Sequence, residues 1–248
     1  NKKINMQNGN IFFKDNDDEI ITITKINSGL FFYDELKKLN LFNINGKIFN
    51  IPFDFNLKKN ILPSGIKEIN FKAKNLNFNI NDKLKKLNNE VIDGKNIFSF
   101  LNTNIYTKYN IKDNLISFKS DESKINNSSP YYEGKLSLEP FELTLDLKIQ
   151  RYDLFKLFNF DTALGELFKS KILFNENLST NISVDIVSNL NNEIFTSSKV
   201  KFNIVNGRIN FDKTKLINKK IGSVEISNSN LFFQNDNLIL NSDLIIDI

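Results

Sequence analysis

The sequence predicts a mainly β protein whose elongated, twisted antiparallel sheet forms a groove or an open sandwich. Three observations predict it. Apolar and polar residues alternate in many segments, Asn-Gly and Asp-Gly pairs punctuate those segments, and helical spacing is confined to one stretch near 152–170. Alternation with a period of two marks strands that bury one face and leave the other wet, which is typical of antiparallel sheets.

The N-terminal half contains the first predicted strands. Within Ile48–Leu57, the apolar positions are Phe49, Ile51, Phe53, Phe55 and Leu57. A shorter segment alternates through Leu76, Phe78 and Ile80. Each segment predicts a strand with one apolar face.

The C-terminal half contains the longest alternation. Its apolar positions are Phe141, Leu143, Leu145, Leu147 and Ile149. Further strands are predicted at Leu178–Ile186, at Val200–Ile204 and in the tail from Leu231 to Ile248.

Four of the nine glycines follow Asn or Asp and predict hairpin turns. They are Asn8-Gly9, Asn45-Gly46, Asp93-Gly94 and Asn206-Gly207. Such pairs between apolar runs favour the type I′ turn, because both residues tolerate a positive φ. The segments around Asn45-Gly46 and Asn206-Gly207 look like one hairpin written twice, which indicates a repeated strand unit.

One stretch has helical spacing. Between Arg151 and Phe174 the apolar residues fall near i, i+3 and i+4 steps, which predicts a short helical insertion near 152–170. The polar stretch Ser120–Pro130 predicts a loop. We therefore expect two β segments, residues 1–119 and residues 131–248, with the insertion in the second.

Composition excludes several kinds of site. The chain has no His, Cys or Trp, so a Cys/His zinc site, a thiol nucleophile and a Ser–His pair are excluded. Of 33 basic residues only Arg151 and Arg208 are Arg, and the net charge is +4. Nucleic-acid binders usually show a basic stripe. We expect no nucleic-acid partner, no metal and no cofactor.

Two short patterns resemble known sites and fail on inspection. The acidic run Asp15–Glu19 has Ile20 and Ile26 where a calcium loop needs Gly and Glu. Ser64–Lys67 matches the S-x-x-K of penicillin-binding enzymes, but K-T-G occurs nowhere in the chain. No carboxylate pair is singled out for glycoside hydrolysis. We therefore expect no enzymatic activity.

The apolar ladders are the remaining functional feature. The chain has 24 Phe, many of them in the alternating segments. Two sheets that cover each other would turn these ladders into a closed core. A sheet without a cover would leave a trough, and large exposed apolar surfaces usually mark binding sites. The sequence leaves both readings open.

The C-terminal fifty residues resemble a family. Val200–Ile248, which reads VKFNIVNGRINFDKTKLINKKIGSVEISNSNLFFQNDNLILNSDLIIDI, resembles the C-terminal part of AsmA-like and TamB-like envelope proteins. In those proteins a short apolar phrase is followed by N/D-G-x-I and later by an alternating apolar close. Leu41–Leu57 and Tyr152–Ile186 also look like segments of such proteins.

The resemblance implies a β-groove in the periplasm of a Gram-negative cell. Phospholipid acyl chains would pass along it between the inner and outer membranes. The family's N-terminal membrane helix is not in this sequence, so the chain is expected to be a fragment of a protein anchored in the inner membrane by a segment outside it. The expected groove-lining residues are Phe49, Ile51, Phe53, Phe55, Phe141, Leu143, Leu145 and Leu147. The alternative is a purely structural or adhesin-like β-sandwich with no ligand.

Overall fold

The computed structural model describes most of the chain. The described residues are 2–14, 18, 20–60, 65–86, 91–100, 103–123, 129–150, 170–188, 194–235 and 237–248. The chain divides into two compact units, Asn1–Ile116 (unit 1) and Ser117–Ile248 (unit 2).

Unit 1 is built from eight complete strands in which each strand pairs antiparallel with the next along the chain. Their bounds are β1 Lys2–Lys14, β2 Ile20–Asp34, β3 Leu39–Ile48, β4 Ile51–Asn60, β5 Lys67–Ala73, β6 Phe78–Lys86, β7 Val91–Phe100 and β8 Thr103–Lys112. A 3-10 helix, Lys74–Leu76, connects β5 to β6.

Unit 2 contains the remaining strands, and β9 begins at the end of unit 1. Their bounds are β9 Leu115–Ser120, β10 Tyr131–Leu138, β11 Phe141–Gln150, β12 Ser179–Val187, β13 Ser197–Val205, β14 Arg208–Asn210, β15 Thr214–Asn218, β16 Gly222–Gln234 and β17 Asn237–Asp247. A 3-10 helix, Ile172–Phe174, precedes β12.

The prediction of a mainly β, antiparallel fold is confirmed. Within unit 2, β11 and β12 instead run parallel, in register from Glu142 opposite Ser179 to Gln150 opposite Val187. Parallel neighbours need a crossover connection instead of a tight hairpin. The helical insertion predicted at 152–170 falls in this connection and, apart from Ser170, lies outside the described residues.

One of the four predicted turns is confirmed. Asn206 and Gly207 have φ values of 50° and 67° and join β13 to β14 as a type I′ turn. The other three predictions are wrong, because Asn8-Gly9 lies within β1, Asn45-Gly46 within β3 and Asp93-Gly94 within β7. The proposed repeat of one hairpin is therefore wrong as well.

The neighbouring strand β2 comes too close to position 46 of β3 for a side chain, which explains the glycine at this position. A Cβ built on Gly46 would lie 2.1 Å from the carbonyl oxygen of Lys25. The register of β2 against β3 shifts between Ile26 and Ser28, so β2 carries an extra residue beside Gly46. Glycine permits this close approach at a bulge.

The β3–β4 turn lies three residues after Gly46, at Phe49-Asn50, where φ is 48° and 61°. Ile48–Leu57 is therefore not one strand, and Phe49 belongs to a turn.

Candidate functional site

Unit 1 has one apolar face that continues across its strands. Residues directly opposite in a sheet share a face, so the register assigns the members of this face. Within β2–β7 the set, called here the unit-1 apolar face, comprises Ile26, Phe31, Phe42, Ile44, Ile48, Ile51, Phe53, Phe55, Leu57, Ile69, Phe71, Phe78, Ile80, Leu84, Phe98 and Phe100. The alternation in each strand is what brings these residues to one side.

Phenylalanine rings run across this face from strand to strand. Their centroid separations are 6.5 Å for Phe31–Phe42, 6.4 Å for Phe42–Phe55, 5.6 Å for Phe53–Phe71, 5.9 Å for Phe71–Phe78, 4.8 Å for Phe78–Phe98 and 6.2 Å for Phe98–Phe100. We call these eight residues the phenylalanine row. It crosses from β2 to β7, five inter-strand spacings of about 4.8 Å, or about 24 Å in all.

The phenylalanine row is mostly half-buried. Phe53 is 9% exposed and packs with Ile26 and Ile44, whereas Phe42, Phe71, Phe78 and Phe98 keep part of their surface accessible. In the described part of unit 1, the only helix is the 3-10 turn Lys74–Leu76. That part of unit 1 therefore supplies no helical layer over its apolar face.

The apolar face of unit 2 is covered more completely. Ile149, Ile186, Ile204 and Ile209 are all at most 2% exposed. Side chains from the segment before β12 pack on this face: the Phe174 ring lies 4.7 Å from Phe233, and Leu173 and Leu178 pack against the Ile204–Ile209 cluster. This face is a core where that segment covers it.

The opposite face of unit 1 is polar and rich in asparagine. Asn43, Asn56, Asn70 and Asn81 lie opposite one another on four successive strands. The Asn70 Nδ2 group donates to Oδ1 of Asn79 at 3.0 Å and to Oδ1 of Asn81. Nearby, the Glu68 carboxylate pairs with Lys58 at 3.7 Å and with Lys83 at 3.4 Å. The sheet of unit 1 is thus amphipathic.

One polar cluster interrupts the unit-1 apolar face. Asp82 on β6 lies opposite Asn96 on β7, and the Tyr109 hydroxyl on β8 donates to Asp82 Oδ2 at 2.6 Å. The Tyr109 ring crosses β7 at Gly94, where a Cβ would lie 2.0 Å from the ring. Oδ1 of Asp82 and Oδ1 of Asn96 are buried with no hydrogen-bond partner among the described residues. The cluster therefore buries two polar side-chain oxygens within the unit-1 apolar face.

Burial raises the pKa of the Asp82 carboxyl above its usual value of 3.8, and hydrogen bonds from Tyr109 and the Lys83 backbone partly oppose that shift. Burial and the hydrogen bond to Asp82 also raise the pKa of the Tyr109 hydroxyl. Both groups are thus held towards their neutral forms by the apolar surroundings.

The expected groove-lining residues do not all lie on one face or in one unit. Ile51, Phe53 and Phe55 share the unit-1 apolar face. Phe49 lies in the β3–β4 turn and lines a shallow depression with Ile23, Lys25 and Lys47, which belong to the polar side.

The four expected residues of β11 lie in unit 2. Phe141 begins the strand and is 40% exposed. Leu143, Leu145 and Leu147 are half-buried, and Leu147 packs against the Ile149–Ile186 cluster. These residues and those of β4 thus belong to the apolar faces of different units.

The sequence pattern did not identify Phe71, Phe98, Asp82 or Tyr109 as candidate site residues. Phe78 was in a predicted strand, but its ring neighbours Phe71 and Phe98 were not. Asp82 and Tyr109 are 27 residues apart in sequence, and only the register of β6, β7 and β8 brings them together.

The described residues contain no group of three or more carboxylates that could hold a metal ion. Among those residues there is also no helix of sufficient length and apolarity to span a bilayer. Comparison of the chain with protein-family models, curated proteins and solved structures gave no match.

Proposed function

We propose that the chain shelters phospholipid acyl chains on the unit-1 apolar face during lipid transfer between the inner and outer membranes. The observation that carries the proposal is the half-buried phenylalanine row, which crosses six strands on one side of an amphipathic sheet. Of the expected groove-lining residues, Phe53 and Phe55 belong to the row and Ile51 lies on the same face.

The length of the phenylalanine row supports an acyl chain as the ligand. One leaflet of a bilayer holds acyl chains across about 15 Å of hydrocarbon, half of its thickness of about 30 Å. The phenylalanine row spans about 24 Å, so one acyl chain fits along it. Each CH₂ that leaves water contributes about 0.8 kcal/mol, and a continuous apolar surface provides that shelter without specific polar contacts.

The proposed setting is the periplasm, with attachment to the inner membrane by a segment outside this chain. The resemblance of Val200–Ile248 to AsmA-like and TamB-like proteins supports this setting. The proposed role is binding and passage of lipid, with no covalent step, cofactor or nucleic acid.

A structural or adhesin-like β module is the second candidate. Unit 2 favours it, since Ile149, Ile186, Ile204 and Ile209 are at most 2% exposed. Leu173, Phe174 and Leu178 pack against the Ile204–Ile209 cluster. A fully packed face has no room for a ligand. This candidate predicts that the purified protein carries no amphiphile.

Native mass spectrometry tests the proposal on the protein incubated with vesicles of phosphatidylethanolamine and phosphatidylglycerol in equal parts. The wild-type protein is expected to carry phospholipid. Phe98→Thr removes one ring from the row but keeps a residue suited to strands, and it should reduce the lipid-bound fraction roughly tenfold, the equivalent of about 1.4 kcal/mol.

Phe202→Thr is the matched control. Phe202 also packs ring against ring, with Phe211 at 5.5 Å, but it belongs to the covered face of unit 2. The control should keep wild-type lipid loading, provided that both variants unfold cooperatively. A lipid-free wild-type protein, or equal loading of wild type and Phe98→Thr, would refute the proposal and favour the structural module.

A further inference from the structure

The polar face of unit 2 contains an open depression of about 520 Å³. Lys201 and Asn203 of β13, Arg208 and Asn210 of β14, and Lys213 of the following turn line it. These side chains alternate with apolar ones such as Phe202 and Ile204, so the depression lies on the side of the sheet opposite the unit-2 apolar face.

The depression forms where β13 changes its partner. β13 pairs with β14 through Asn203–Val205 and with β15 through Ser197–Lys199. At Lys201, between the two ladders, the Thr214 hydroxyl replaces the missing strand: it accepts from the Lys201 N–H at 3.0 Å and donates to the Lys201 carbonyl at 3.1 Å. The backbone that carries Lys201 is therefore held by hydrogen bonds on this side.

The turn between β14 and β15 is also fixed. Asp212 Oδ1 accepts from the backbone N–H of Ser229 at 2.6 Å and from its hydroxyl at 3.0 Å, while Oδ2 accepts from the Asn210 amide at 3.0 Å. The Ser229 hydroxyl in turn accepts from the Phe211 N–H at 2.6 Å. This network joins the turn to β16, so Lys213 is carried on a constrained loop.

The charges in the depression are unbalanced. Lys201, Arg208 and Lys213 make no ion pair with a carboxylate in the part of the chain that the structure describes. Asp212 is the single acid in the lining, and both of its oxygens already accept hydrogen bonds. Three cations and one carboxylate leave two net positive charges.

The geometry points to a binding site for a phosphate group in this depression, and we propose this as a second site of the protein. A phosphate carries more charge than a carboxylate and accepts from several donors at once, which suits three cations around one concavity. The Arg208 guanidinium carbon lies over the Phe232 ring, 5.0 Å from its centroid, and the planar guanidinium fork suits phosphate. Asn203 and Asn210 add amide donors beside it.

The site is independent of lipid shelter on the unit-1 apolar face, since it belongs to unit 2 and to the polar side of its sheet. A free phosphate ester and a phospholipid headgroup share the chemistry that this site recognises, and the test separates these two sources.

Isothermal titration calorimetry of the full chain with inorganic phosphate and with glycerol 3-phosphate tests binding of a free phosphate or phosphate ester. Saturable binding is expected in low salt, and it should weaken as salt is raised. Lys201→Gln and Arg208→Gln should each weaken it roughly tenfold, the loss of one charge-assisted hydrogen bond worth about 1.4 kcal/mol. Lys199→Gln is the matched control, because Lys199 lies on the same strand and face but outside the depression.

Co-sedimentation with vesicles tests binding of a phospholipid headgroup. Binding to phosphatidylglycerol but not to phosphatidylcholine vesicles, lost in Lys201→Gln and Arg208→Gln, identifies a headgroup as the ligand. Titration without vesicle binding identifies a soluble phosphate ester. Absence of saturable binding in both assays, or equal weakening by Lys199→Gln, would overturn the proposal.

Discussion

A carboxylate on an apolar sheet face is costly, and Asp82 shows how its cost is limited. One oxygen accepts from the Tyr109 hydroxyl at 2.6 Å, while the other is buried without a partner among the described residues. Burial of a polar atom that lacks a partner destabilises the folded state. The hydrogen bond from Tyr109 thus offsets only part of the cost of burying this carboxyl group.

The raised pKa of Asp82 has a consequence for stability. In the folded protein the carboxyl binds its proton more tightly than in the unfolded chain, where its pKa is near 3.8. Its contribution to the free energy of unfolding is therefore greatest below that pH and declines as the pH rises through the raised value. Asp82→Asn removes this decline. Measured by urea unfolding, the free energy of unfolding of the variant should therefore rise relative to that of the wild type as the pH increases from low to neutral.

Asp113→Asn is the control for that measurement, because Asp113 is exposed in the turn after β8. If both variants show the same change with pH relative to wild type, the assignment to Asp82 is wrong.

Gly46 makes a second prediction at the residue scale. Because a Cβ at this position would lie 2.1 Å from the Lys25 carbonyl oxygen, Gly46→Ala should destabilise the fold by about 1–3 kcal/mol, as overpacking usually does. At Gly9 the nearest atom to an added Cβ is 4.0 Å away. Gly9→Ala should thus be close to neutral in the same chemical denaturation. Equal losses in the two variants would contradict this account of the bulge.

Residue types alone could not show which Asn-Gly or Asp-Gly pair forms a turn. A glycine that permits a positive φ, as Gly207 does, and a glycine that permits close approach of a neighbouring strand, as Gly46 does, look alike in sequence. Phe49, by contrast, adopts a positive φ that is rare for a bulky residue. Tertiary register decides such cases.

At the scale of elements, alternation predicted the faces of β4 and β11 well. Ile51, Phe53 and Phe55 share one face as their spacing requires. The parallel pairing of β11 with β12 was not predictable from the same pattern, because alternation is identical in parallel and antiparallel strands that bury one face. The direction depends on the connection, most of which lies outside the described residues.

The turn between β14 and β15 gives a prediction at this scale. Ser229 is 2% exposed and joins the turn to β16 through Phe211 and Asp212. Ser229→Ala leaves the Phe211 N–H without its acceptor and should lower the free energy of unfolding by about 1–3 kcal/mol. Ser227→Ala, on the same strand, should change it by less than about 0.5 kcal/mol, which is typical of sites without such features. A similar effect of the two changes in urea unfolding would show that the turn is not held this way.

At the scale of the whole molecule, the same alternating sequence pattern produces apolar faces that are buried to different degrees in the two units. In unit 2, Ile204 and Ile209 are at most 1% exposed and pack with residues around Phe174, whereas unit 1 leaves most of its phenylalanine row half-buried. Composition and alternation predicted apolar faces in both. They could not predict which face is covered, because alternation marks an apolar face in the same way whether or not another segment packs on it.

Photo-crosslinking tests the central claim, lipid on the unit-1 apolar face, most directly. The protein is irradiated with vesicles of phosphatidylethanolamine that carries a diazirine in one acyl chain, and the crosslinked residues are mapped by mass spectrometry. The account predicts crosslinks concentrated at Phe71, Phe78 and Phe98. Crosslinks confined to the polar face around Asn56 and Asn70, or none above an unirradiated sample, would contradict it.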